Sequence, residues 1–160
     1  MEKKTLLILI VLCAASLELD AQTEKKQAVS PYFSALIVTN IDSAVHWYTT
    51  YLPLNVRNRV DNAERGFKQV ILENDGMLLE LVELKSVLLP SKALESLPQG
   101  TRLVGYFKVG FSVADFDTWH QELEKKQVQF YGSTFTDPIS GQRSFLVKDP
   151  DGNTVQFFEE

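Results

Sequence analysis

Apolar and polar positions along this chain follow a strand period, then a helix period, then a strand period again, and the whole sequence of periods occurs twice. FSALIV (33–38) is strand-like. It passes through Asn40, a side chain suited to accept from the first free amides of a helix, into a segment where Ile41, Ala44, Val45, Tyr48 and Leu52 recur on one helical face. Extended segments follow near 55–60, 66–73 and 77–83. The second pass begins with a strand at 107–113 and a cap at Asp115. A helix with Phe116, Trp119 and Leu123 on one face comes next, then strands near 128–135, 142–148 and 153–159. Each unit therefore reads strand, helix, three strands.

The register between the passes is nearly constant. Val38 and Val113 are 75 residues apart, while Asp75-Gly76 and Asp151-Gly152 are 76 apart, as are LLELVE and TVQFFE. Such an offset across a whole unit marks an internal duplication. KSVLLPSKALESLPQGTR, with two prolines and a glycine, reads as a connection with room for one short helix. The expected layout is one domain at 32–160, made of repeats 32–84 and 106–160 joined by the segment 85–105. Alternation along the strands sorts their side chains. Phe33, Ala35, Ile37, Leu78, Glu80, Val82, Lys108, Gly110, Ser112, Thr154, Gln156 and Phe158 share one face. Leu79, Leu81, Val109, Phe111, Val113, Val155 and Phe157 form an apolar opposite face, as a helix-covered surface requires.

Composition changes the picture at the N-terminus. MEKK is a short basic start, TLLILIVLCAASL an apolar run and LDA a small-residue ending, the layout of a secretory signal peptide over 1–21, followed by a polar leader at 22–31. The apolar run is short for a membrane span. Lipid attachment at Cys13 is disfavoured by the bulk of Leu12. Cleavage near Ala21 would place the mature chain in the periplasm or outside the cell and would remove Cys13, the one cysteine. The formal net charge of the full chain is −5, and no basic cluster stands out, so nucleic acid is not an expected partner. No phosphate-binding glycine loop, Ser-His-Asp set or paired-cysteine motif occurs. Asp149-Pro150-Asp151-Gly152 reads as a tight reversal and not as a calcium loop, since its acids are not spaced to converge on one ion.

Taken together, VTNIDSAVHWYTTYLPL, GMLLELVE, VGFSVADFD and FLVKDPDGNTVQFFE resemble the vicinal oxygen chelate superfamily of glyoxalases, bleomycin-resistance proteins and extradiol dioxygenases. The resemblance spans roughly 32–159. It implies an α+β fold of two βαβββ repeats whose curved sheets enclose a cavity. It also implies, in metal-dependent members, four ligands, one from the first and one from the last strand of each unit. Carried onto this chain those positions are Phe33, Glu80, Lys108 and Gln156, so three of the four depart from the pattern. A phenyl ring offers no lone pair and an ammonium repels a cation, while such ions want imidazole nitrogen or carboxylate oxygen at about 2.0–2.2 Å. His46 and His120 lie on the helices and have no ligand spacing.

The expectation is therefore a secreted domain without metal or other cofactor that binds a small molecule through Phe33, Glu80, Lys108 and Gln156. Lys108 would pair with Glu80 across the former metal position, and Gln156 would hydrogen-bond to that pair. The alternative is a metal-dependent or acid/base lyase, isomerase or dioxygenase using Glu80. Because members of this superfamily often dimerise, a homodimer is a further expectation, with no membrane span in the mature chain.

Overall fold

The first segment capable of regular structure after the polar leader is the apolar run at 33–38, and a computed structural model describes residues 31–160. The expected signal peptide and most of the expected polar leader lie outside the described residues. Strand β1 (Ser34–Val38) leads through Asn40 into helix α1 (Ile41–Tyr51), and the Asn40 carboxamide accepts from the Ser43 amide at 2.8 Å. Strands β2 (Asn55–Asn62), β3 (Phe67–Asn74) and β4 (Met77–Leu84) complete the first repeat. The connection holds one short helix, α2 (Pro90–Ala93). The second repeat contains β5 (Lys108–Val113), α3 (Phe116–Lys125), β6 (Gln129–Phe130), β7 (Phe135–Thr136), β8 (Arg143–Lys148) and β9 (Thr154–Glu159).

The two sheets share one plan. The first runs β1-β4-β3-β2 and the second β5-β9-β8-β6, with β7 also pairing β8. In each, the first strand is parallel to the last, and the remaining pairings are antiparallel. Two details differ from the periodicity. The extended segment at 128–135 is broken into β6 and β7, with Gly132 at φ +83°, a backbone turn that glycine accepts without strain, in the gap. Asp115 also makes no side-chain capping bond, so α3 starts without the device that starts α1.

Helices cover the expected faces. Val38, Ile41, Ala44, Tyr48, Leu79, Leu81, Phe116, Leu123, Val155 and Phe157 are buried in one core that spans both repeats. Trp47 joins it in preference to Val45, which packs only at its margin. Each sheet also carries the same ion pair at equivalent places: Lys68 to Glu83 at 2.9 Å and Arg143 to Glu159 at 2.6 Å. Asp42 beside Arg59 and Asp117 beside Arg143 repeat the pattern at the helix starts. These hydrogen-bonded cations hold the Glu83, Glu159 and Asp117 carboxyls below the usual range.

The repeats are joined by the turn before β9. Asp149, buried, accepts from the Tyr48 hydroxyl at 3.1 Å, the Asn153 amide at 2.8 Å, the Asn153 carboxamide at 2.9 Å and the Asp151 amide at 3.0 Å. Asp151 in turn accepts from the Thr39 amide at 3.0 Å and from the Thr39 hydroxyl. The reversal is thus a clasp: its acids reach back to the end of β1 and into α1. Burial raises both the Asp149 carboxyl and the Tyr48 hydroxyl above their ordinary ranges, while the four donors pull Asp149 the other way. Replacing Tyr48 by phenylalanine keeps the packing but removes one donor from a buried carboxylate. Tyr48→Phe is expected to cost about 1–3 kcal/mol in chemical denaturation, whereas an unchanged midpoint would show that the hydroxyl carries no part of the link.

Candidate functional site

Where β1 and β5 begin, each at the outer edge of its sheet, a cavity of about 630 Å³ opens between the repeats. That is the scale of a small-molecule site. Phe33 and Ala35 contribute from the first repeat, and Met77 from the start of β4. Tyr106, Phe107, Lys108 and Gly110 contribute from the approach to β5 and from β5 itself, with Asn153 and Thr154 from the entry to β9. Two of the four sequence-predicted site residues, Phe33 and Lys108, therefore line one cavity.

Glu80 and Gln156 do not line it. Glu80 pairs with Ala35 and Gln156 with Gly110, and of each pair the edge-strand member lines the cavity while its neighbour one strand further in does not. Phe33, just before β1, and Lys108, the first residue of β5, lie two residues earlier in the chain than Ala35 and Gly110, roughly 6–7 Å along. The expected Lys108–Glu80 ion pair is absent among the described residues. Glu80 instead accepts from the Gln69 carboxamide, and the Lys108 ammonium lies 5.9 Å from the centre of the Phe107 ring. Gln156 bonds to neither expected partner. It is fully buried and donates to Ser144 Oγ at 2.6 Å, and that hydroxyl donates to the Phe157 carbonyl at 2.8 Å.

These residues fit a divalent metal poorly. Gln156 Oε1 is buried with no donor, so it is one candidate oxygen, but Glu80 is engaged by Gln69, Phe33 has no lone pair and Lys108 is a cation. Among the described residues no group of three His, Cys, Asp or Glu side chains is placed to hold an ion. His46 is exposed on α1. His120, on α3, packs its ring against Phe130 and Phe145 at 4.7 and 4.9 Å.

Several features of the site escaped the periodicity. Tyr106 opens the second repeat and Phe107 directly precedes β5, and alternation marks neither as lining; the adjacent run Tyr106-Phe107-Lys108 is the available signal. Lys148 Nζ donates to Thr154 Oγ1 at 2.6 Å and to the Gly152 carbonyl at 3.0 Å, and lies 4.6 Å from the Tyr131 ring centre. Burial pushes the Lys148 ammonium below its ordinary range, and nearby Arg102 acts in the same direction.

Comparison with known proteins agrees with this architecture. A glyoxalase family protein from Enterococcus faecalis superposes with a TM-score of 0.68 at 16% identity, over 81% of this chain and 97% of that one. A trypanothione-dependent glyoxalase I from Leishmania major gives 0.62 at 19% identity, over 83% and 88%. Lactoylglutathione lyase from Agrobacterium tumefaciens gives 0.57 at 20%, over 84% and 96%. At such identities the likeness speaks to fold. No curated protein matches in sequence. The family model described as Glyoxalase/Bleomycin resistance protein/Dioxygenase superfamily matches residues 31–157, and the chain belongs to that superfamily.

Proposed function

We propose that this chain is a secreted, metal-independent member of its superfamily that binds a small organic molecule in the cavity between its two repeats. The observation that carries this reading is the donor set: at the four positions where metal-dependent relatives would place ligands stand a phenyl ring, an ammonium, a fully buried amide and a carboxylate bonded to Gln69. What these residues offer instead is a half-exposed aromatic surface at Phe33 and a free charge at Lys108, both lining a cavity of about 630 Å³. Glu80 does not line that cavity, which leaves general-base chemistry there without a substrate-facing carboxylate. Secretion rests on the leader at 1–21. Among the described residues no helix is long and apolar enough to cross a membrane.

A homodimer belongs to the same proposal. Val104 and Ile139 stand essentially fully exposed, apolar surface that a second copy would remove from water. Light scattering over a range of concentrations should give twice the chain mass at the upper end, and a constant single-chain mass would remove this part.

Two experiments address the site. A thermal-shift screen of small molecules should find ligands whose stabilisation is lost in Lys108→Ala; a screen without ligands, or full retention in the variant, would count against the assignment. Restoring an acid by Gln156→Glu should not make a metal site but bury a carboxylate against a hydroxyl already committed to Phe157. Burial raises the folded pKa of such a group, so its stability is intact at low pH and lost as pH rises. The variant is expected to lose on the order of 3–5 kcal/mol at pH 8 and much less near pH 4, and a pH-independent cost would contradict this.

A further inference from the structure

We infer that the cavity selects a small organic anion, an apolar and preferably aromatic body bearing one carboxylate, with the carboxylate held by the Lys108 ammonium and the Thr154 hydroxyl. This rests on the cavity being a ligand site and specifies the chemistry of what enters it.

The lining contains one cation, Lys108, and no acid. Lys108 has no carboxylate within ion-pair distance among the described residues. Asp137 is near enough for the Lys108 charge to help hold its carboxyl below the usual range, but it is already engaged by the Ile139 and Ser140 amides and the Ser140 hydroxyl. Glu80, the acid that a zwitterion would need at its positive end, is bonded to Gln69 outside the lining. A cationic ligand would meet Lys108 with no acid in the lining to offset it.

Thr154 supplies the second anchor. Only 4% of its surface is exposed, yet it lines the cavity. Its oxygen accepts from Lys148, so its own hydrogen is available, and no described residue accepts it. A hydroxyl that accepts from an ammonium is a stronger donor toward an anion. Lys108, Thr154 and Lys148 occupy one cross-strand row of β5, β9 and β8, so Lys148 stands behind Thr154 on the same face. Although the chain is acidic overall, this end of the second sheet carries unpaired positive charge. Phe33, Tyr106 and Phe107, all exposed, supply flat surfaces for the ligand body.

Calorimetric titration with naphthoate, uncharged naphthamide and cationic naphthylmethylamine tests this, on the wild type and on Lys108→Gln and Thr154→Val variants checked for folding by circular dichroism. Naphthoate is expected to bind at least about tenfold more tightly than naphthamide, to weaken as salt is raised, and to lose that advantage in Lys108→Gln. Thr154→Val should reduce naphthoate binding and leave naphthamide unchanged. Equal binding of the amide or amine, or an unchanged carboxylate preference in Lys108→Gln, overturns the anion selectivity while leaving a ligand site. Binding by none of the three also overturns it, and removes the ligand-site reading itself if the broad thermal-shift screen is blank as well.

Discussion

The fold depends on a buried carboxylate that belongs to one repeat and is satisfied partly by the other. Asp149 lies in the turn before β9, yet one of its four donors is the Tyr48 hydroxyl on α1. Removing a partner from a buried charge leaves a desolvation cost unmatched, which is why such contacts tolerate little displacement. Asp151 adds a grip on Thr39, the residue just past β1. Together they fix the far end of β1 against the entry to β9, and β9 is the strand on which β5 is laid. The clasp also reaches the cavity wall, because Asn153, which donates twice to Asp149, lines the cavity at the entry to β9.

The duplication shows which parts were free. Glu83 and Glu159 bind cations at equivalent places, and Asp42 and Asp117 keep the same relation to the helix starts. The inner positions have diverged instead: Phe33 against Lys108, and Glu80 against Gln156. Gly110 permits part of this divergence. A β-carbon there would stand 3.3 Å from the Phe158 ring, so that ring leans over the strand where the first repeat has Ala35. The amide at 156 is a buried group paired with Ser144, while the proposed ligand contacts lie at the strand beginnings.

Much of this was legible in the sequence, for physical reasons. Alternation and helical spacing exposed the repeats, since each sheet has one covered face and each helix one buried stripe, and Leu79, Leu81, Val155 and Phe157 fall where that pattern requires. The Asp-Pro-Asp-Gly reversal was legible as a turn, but its reach to Tyr48 and Thr39, more than 100 residues away in sequence, was not. Periodicity reports faces and not register between distant strands. It groups Glu80, Lys108 and Gln156 by alternation alone, and does not reveal that Lys108 sits two residues from Gln156 along the sheet or that Gln69 claims Glu80. The broken strand at 128–135 escaped for a local reason, because Gly132 sits inside an otherwise extended run.

Elemental analysis of the purified mature protein, incubated with nickel, zinc, manganese and iron and then freed of loosely held ions, tests the central claim most directly. If recognition has passed from an inorganic ion to Lys108 and its aromatic neighbours, every metal should remain far below one equivalent per chain. One equivalent retained through gel filtration, with a stability gain abolished by chelation, would contradict it.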